Sequence, residues 1–345
     1  MPKLYLKEYA RVLAGREVFI ACREGILRDH FQDIITDIKF LVRHGALTVL
    51  LHNMPIRFAN QKLITRLAQR LPATGIVRVP PEIDFYDAVL NHQASMFKVI
   101  FLERRYLIDR QANKINAITT GRVRESLADF GDRIANVNFK GAMACICRKI
   151  EAGQCDRIHI LAAGKNAIKH ELFTVEGAGT LIANNFQEDF RQVQTDEEVA
   201  IVHRILEMYK RSGFLKPRTK GYLNKNRHRF YVTAIDGIVV GCLEQKIIDA
   251  QTVEMGALAI STRFRNQRVG VHTVKSFMAL MKTQGYTHFI SLTNNPRLEA
   301  LYRQLGFVQG SRPEYRLRQE QSPDVKMFCK IDGSAKKSRD PISER

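Results

Sequence analysis

The sequence predicts an α/β chain of two domains: a parallel-sheet domain, then an α+β domain built on a mixed sheet. Three observations carry this. The first half alternates short, fully apolar runs with helix-period segments, the β-α-β spacing of a parallel sheet covered on both faces. The second half holds a hairpin signal, then a strand, a basic turn, a helix and another strand. Finally, 345 residues suffice for two cores.

Taken in order, Glu17 to Cys22 (EVFIAC) is the first strand. His30 to Arg43 is a helix with Phe31, Ile34, Ile35, Ile38, Leu41 and Val42 on one side. Gly45 ends it, and Leu47 to Leu51 is a second buried strand. Asn60 to Leu71 is an amphipathic helix, and Pro80-Pro81 breaks the pattern. Lys98 to Glu103 is a strand, Phe139 to Ala152 a helix, Arg157 to Ala162 a strand and Asn166 to Phe173 a short helix, followed by a turn over Glu176 to Thr180.

The segment Asn184 to Val199 is polar, and a domain boundary is expected near Phe186. Thr195 with Glu198 three residues on forms a capping-box signal for a helix running to Arg211. Phe230 to Ile235 and Ile238 to Gln245, joined by Asp236-Gly237, read as a hairpin. Met255 to Ile260 is a strand that runs into Arg263, Arg265, Asn266, Gln267, Arg268 and Gly270. Val271, Val274, Phe277, Met278 and Met281 then follow with helical spacing. A polar turn between strand and helix start is an anion site, because the first helical amides are unpaired and the dipole favours negative charge. Arg312 to Glu320 is polar, Val325 to Ile331 a closing strand, and residues 332–345 a basic, disordered tail.

Net charge is +19, which suits a polyanionic ligand; basic residues are spread along the chain without a nucleic-acid motif, so nucleic acid is not expected as a partner. No apolar run approaches the ~20 residues of a membrane span, and no secretory signal is expected at the N-terminus, so the expected compartment is the cytoplasm. Cys22, Cys145, Cys147, Cys155, Cys242 and Cys329 form no CxxC pair; buried free thiols are expected, and no metal site.

The segment FKGAMACICRKIEAGQCDRIHILAAGKNAIKHELFTVEGAGTLI, with the earlier LLHNMP turn, resembles the amino-acid kinase fold. That family holds nucleotide phosphates with a lysine and glycines after the first two strands. The matching places here read Ala21-Cys22-Arg23-Glu24-Gly25 and His52-Asn53-Met54-Pro55, and the central portion is short. The resemblance therefore implies a shortened, degenerate kinase-like domain over residues 1–186, catalytically silent and structural or oligomer-forming.

Residues 187–331 resemble the GNAT acyltransferase family in element order, in Gln267-Arg268-Val269-Gly270-Val271-His272, and in the ending Ala300 to Phe307. The family's last small turn residue is His272 in this chain. The resemblance implies acetyl-CoA as co-substrate, with pyrophosphate on amides at Gln267, Arg268, Val269, Gly270 and Val271. It also places the pantetheine arm along Leu258, Ala259 and Ile260, with Asn294 and Asn295 adding to the cofactor site.

A kinase-like half followed by a GNAT half is similar to the N-acetylglutamate synthase family. EMGALA from Glu254 and GFLKPRT from Gly213 carry that likeness. It implies transfer of acetyl from acetyl-CoA to the α-amine of L-glutamate, at the head of arginine biosynthesis, by a homo-oligomer. Glu254 is then the base, and Thr293 or Tyr302 the acid at the thiolate. Substrate carboxylates fall to Leu215, Lys216 and Arg218 at one end, and to Arg312, Arg316, Ser322 or Lys326 at the other; Ser322 keeps the family pattern before the last strand but its arginine is replaced. Two other readings are a GNAT enzyme acting on another amino acid or amine, and a non-catalytic regulatory protein that senses a small molecule.

Overall fold

A computed structural model describes residues 6–109, 111–129, 139–174, 176–186, 189–235, 237–264, 267–310, 315–321 and 324–331. The chain divides into two compact units, Met1–Phe186 with Thr262–Gln267, and Gln187–Ser261 with Arg268–Arg345.

The first unit runs α1 (Leu6–Leu13), β1 (Glu17–Cys22), α2 (Glu24–Asp29), α3 (Phe31–Arg43), β2 (Leu47–His52), α4 (Phe58–Arg70), β3 (Thr74–Arg78), α5 (Phe85–Leu90), β4 (Met96–Glu103), β5 (Ala117–Thr119), α6 (Thr120–Asp129), α7 (Phe139–Glu151), β6 (Cys155–Ala162), α8 (Ala167–Phe173) and β7 (Thr180–Ala183). Its sheet has the order β3-β2-β1-β4-β6-β7-β5. Five strands are parallel, as the apolar runs require; β7 reverses against β6, so the sheet is mixed at that edge. α5 exists because Asp84 caps it, accepting from the amides of Tyr86 and Asp87. Val99, Phe101, Ile158 and Ile160 pack with Met143 and Ile146 of α7 in one core.

The EGAGT turn is held by Glu171. Its carboxylate accepts from the amides of Ala178 (2.7 Å) and Gly179 (2.8 Å), from His159 Nδ1 (2.6 Å) and from the Arg263 guanidinium. Burial alone would raise the Glu171 carboxyl, but these partners hold it far below the usual range. Gly179 is obligatory, since a Cβ there would lie 2.3 Å from the Ile160 carbonyl oxygen. Where kinase phosphate loops would offer free amides, the Glu24 amide donates to Asn53 Oδ1 (3.0 Å) and the Met54 amide to His52 Nδ1 (3.2 Å).

The second unit comprises β8 (Asp189–Gln192), α9 (Asp196–Lys210), α10 (Lys220–Lys225), β9 (Phe230–Ile235), β10 (Ile238–Ile247), β11 (Thr252–Ile260), α11 (Val269–Thr283), β12 (His288–Thr293), α12 (Pro296–Gln304), β13 (Val308–Gln309), α13 (Arg316–Glu320) and β14 (Lys326–Ile331), in the sheet order β13-β14-β12-β11-β10-β9-β8. The capping box forms: Glu198 donates its amide to the Thr195 hydroxyl and its carboxylate accepts from the Thr195 amide. Val253, Met255 and Leu243 face α11 and pack on Phe277. The polar stretch from Asn184 to Val199 contains the edge strand β8. Asp236, Arg265, Asn266, Arg312, Ser322 and the tail lie outside the described residues. All six cysteines are buried free thiols, and burial pushes Cys22, Cys147, Cys155 and Cys242 up to about 12. Among the described residues no helix is long and apolar enough to cross a membrane.

Candidate active site

The site begins with two parallel strands that part. β11 and β12 pair only at Thr252↔His288, Val253↔Phe289 and Glu254↔Ile290. Beyond Glu254 they diverge, and β11 carries an extra residue against β10, since Gly256 opposes Glu244 while Ala259 opposes Cys242. Ala257 sits there with φ of 49°, the left-handed backbone of a bulge. The wedge between the strands is a cleft lined by Tyr209, Leu215, Leu258, Thr293, Asn295 and Tyr302, among others.

At the mouth, α11 starts at Val269, two residues earlier than the apolar pattern from Val271 suggests. Its cap is Arg268, with φ of 61°, so the left-handed residue of this turn is an arginine and not Gly270. The first helix bond runs from the His272 amide to the Arg268 carbonyl, leaving the amides of Val269, Gly270 and Val271 directed out of the helix start. A Cβ on Gly270 would touch Leu301 at 3.4 Å, so this glycine also lets α12 pack closely. Gln267 is buried and Arg268 exposed. Along the cleft, the Ile260 carbonyl already accepts from the Tyr209 hydroxyl (2.8 Å) and Ala259 pairs with Cys242 of β10, which leaves Leu258 as the backbone on the cleft side. Asn294 is exposed; Asn295 caps α12 by accepting from the Arg297 amide (3.0 Å).

On the sheet face opposite α11, alternation places Glu244 and Lys246 of β10 beside Glu254 and Gly256 of β11. Glu254 is buried and fully engaged. Arg318 donates to it from Nε (2.5 Å) and Nη2 (2.9 Å), and Lys246 Nζ lies at 3.0 Å. Burial alone would raise the Glu254 carboxyl; the Arg318 and Lys246 charges outweigh it and hold the group below the usual carboxylate range. Arg218 donates Nε (2.9 Å) and Nη2 (2.7 Å) to Glu244, whose other oxygen accepts from Tyr222. Leu215 is half-buried and Lys216 exposed. At the far end Arg316 and Lys326 do not converge. Arg316 is exposed and pairs with Glu320, and Lys326 pairs with Glu299. Arg318, two residues on, reaches Glu254 instead.

The two candidate acids differ in their partners. Thr293 Oγ1 accepts from the Asn295 amide (3.1 Å), leaving its proton for a group in the cleft. Tyr302 is fully buried. Its hydroxyl accepts from Ser291 Oγ (2.8 Å), which also lies 2.9 Å from the Met255 carbonyl. Burial pushes Tyr302 up to about 12.

Arg318, Glu244, Lys246, Ser291, Tyr209 and Tyr222 escaped the sequence reading. Glu244 had a signal: a carboxylate inside the apolar strand IVVGCLEQKI must be paired if buried.

A parted pair of parallel strands, a bulge, and unpaired amides at a helix start below the wedge define an acyltransferase fold of the coenzyme A type. Residues 177–307 match the acetyltransferase (GNAT) family, so the second unit is a GNAT domain. Amino-acid acetyltransferases are similar to this chain: that of Pseudomonas fluorescens strain SBW25 is 27% identical over 209 residues, 59% of this chain and 46% of the relative. That of Vibrio cholerae is 22% identical over 274 residues, 79% and 56% of the two chains. This chain spans about half the length of the curated relatives it matches. Over both units it shares the fold of N-acetylglutamate synthase from Neisseria gonorrhoeae, solved with coenzyme A and L-arginine, at a TM-score of 0.55, 16% identity and coverage of 95% and 97%.

Proposed function

We propose that the chain transfers acetyl from acetyl-CoA to the α-amine of an amino acid of the glutamate class, meaning glutamate or its amide. The observation carrying this reading is the wedge between β11 and β12, with the Glu254 carboxylate where the strands part and the Thr293 hydroxyl at the end of β12. The residues fit acetyl-CoA. Amides of Val269 to Val271 suit the pyrophosphate, and Leu258 offers a backbone partner to the pantetheine arm.

The acceptor's α-carboxylate takes Arg318, releasing one side of Glu254. The released carboxylate regains basicity, because burial now outweighs its remaining partner Lys246, and it removes the ammonium proton through a water. The amine nitrogen attacks the thioester carbon, and the amides at the Ala257 bulge meet the oxyanion. The C–S bond breaks as the amide forms. The thiolate takes the Thr293 proton, which solvent restores.

Under this reading the first unit performs no phosphoryl transfer and serves self-association, because its strand-end amides are already bonded. The deciding experiment is thiol release from acetyl-CoA against all common amino acids with the full chain. Turnover with glutamate or glutamine supports the proposal; turnover with none refutes it and favours the regulatory reading.

A further inference from the structure

The first turn of α11 is tied to the sheet by two buried hydroxyls in series. Thr273 Oγ1 donates to the Val269 carbonyl (2.8 Å), and Thr233 Oγ1 of β9 lies 2.6 Å from Thr273 Oγ1. Each hydroxyl has one proton to give. That of Thr273 is spent on Val269, so Thr233 is the donor in the pair, and the chain of bonds runs one way, from the sheet to the helix start. Both threonines are 0% exposed.

Packing alone does not call for this pair. Two residues before Thr233 and four after Thr273, the rings of Tyr231 and Phe277 meet at 5.7 Å on the same faces of β9 and α11. An apolar pair of the same shape would continue that contact and leave no polar group to satisfy. What the hydroxyls add lies at the other end of the chain. The Val269 carbonyl shares its peptide plane with the amide of Gly270, the half-buried glycine whose N–H points out of the helix start. A donor on that carbonyl draws electron density from the peptide and makes the Gly270 N–H a stronger donor, by roughly 10–30% for each link in the chain.

We propose that Thr233 and Thr273 are positioning residues for the pyrophosphate of coenzyme A: they fix the first turn of α11 on β9 and polarise the Gly270 amide toward the anion. This rests on the acetyl-CoA reading above.

The test measures the Kd of coenzyme A by titration calorimetry, beside the melting temperature, for the full chain in three forms: wild type, the double variant Thr233→Val with Thr273→Val, and the double variant Thr233→Ser with Thr273→Ser. The valine form is expected to melt near the wild type, because both partners of the buried bond go together, and to bind coenzyme A about threefold or more weakly. The serine form keeps both hydroxyls and is expected to bind as the wild type does. Undiminished binding by a valine form that melts like the wild type, or an equal loss in the serine form, overturns the inference and leaves the acetyl-CoA reading standing. If the valine form melts early, Thr233→Val against Thr233→Ser decides, since Thr273 then keeps its bond to Val269: weaker binding by the valine variant supports the inference and equal binding overturns it. A wild type that does not bind coenzyme A sinks both the inference and the reading beneath it.

Discussion

Replacing Thr293 with valine keeps the side-chain shape and removes its hydroxyl proton from the wedge. Two losses follow. The Asn295 amide, which donates to Thr293 Oγ1 at 3.1 Å, is left unpaired in a buried place, at a stability cost of roughly 1–3 kcal/mol. The thiolate loses its acid, and general acid catalysis contributes about 10²- to 10⁴-fold, so kcat should fall by about two to four decades. Thr293→Ser is the control, because it restores both the acceptor and the proton. Tyr302→Phe makes the opposite prediction. With Thr293 as the acid, losing the Tyr302 hydroxyl removes only an acceptor of Ser291, and Ser291 keeps the Met255 carbonyl, so the change costs about 1 kcal/mol of stability and leaves kcat within about threefold. The assay is steady-state thiol release beside thermal melting of each variant. If Tyr302→Phe loses two decades without a melting shift while Thr293→Val retains kcat, the assignment of the acid to Thr293 is wrong.

Two further changes probe the acceptor face and the first unit. Arg318→Met should raise the acceptor KM by about tenfold or more while sparing that for acetyl-CoA, because the carboxylate partner goes. It should also move the acid limb of the pH profile to higher pH, since burial of Glu254 is then opposed by Lys246 alone; an unmoved limb would refute the pairing as the cause. In the first unit, burial pushes Asp37 up to about 7, partly offset by the amides of Ile168 and Lys169. The folded chain then binds more protons than the unfolded one between about pH 4 and 7, so wild-type stability falls as pH rises through that window. Asp37→Asn should escape this loss, gaining on the order of 3 kcal/mol relative to wild type between pH 5 and pH 8. Parallel melting curves across that range would contradict it.

Strands β1, β2, β4, β6, β9 to β11 and β14 were legible because their apolar runs have no other use than burial, and the capping box at Thr195 was legible because it is local chemistry. β8 was missed because DFRQ is a short, polar edge strand whose pairing with β9 is a tertiary fact. The family turn was readable as an anion site, but not that Arg268 takes the left-handed conformation. Glu254 and Thr293 could be singled out only by family likeness. That Glu254 meets Arg318 follows from a five-residue helix in a stretch whose composition reads as solvated loop. That Glu244 shares a face with Glu254 follows from the antiparallel register that sets Glu244 opposite Gly256 and Lys246 opposite Glu254, a pairing that no local sequence signal fixes.

The resting site therefore stands in a balance that sequence spacing does not reveal. A carboxylate as buried as Glu254 would protonate if left alone, and as a neutral acid it could take no proton from an amine. Arg318 and Lys246 keep it ionised, but the same pairing makes it a weak base. An acceptor that brings its own carboxylate to Arg318 exchanges one ion pair for another of similar kind, so binding need not break a buried pair without replacement. The freed Glu254 is then most basic when an amine is beside it. The bidentate Arg318 contact, which at first sight disables the base, is on this reasoning what couples proton removal to the presence of the acceptor.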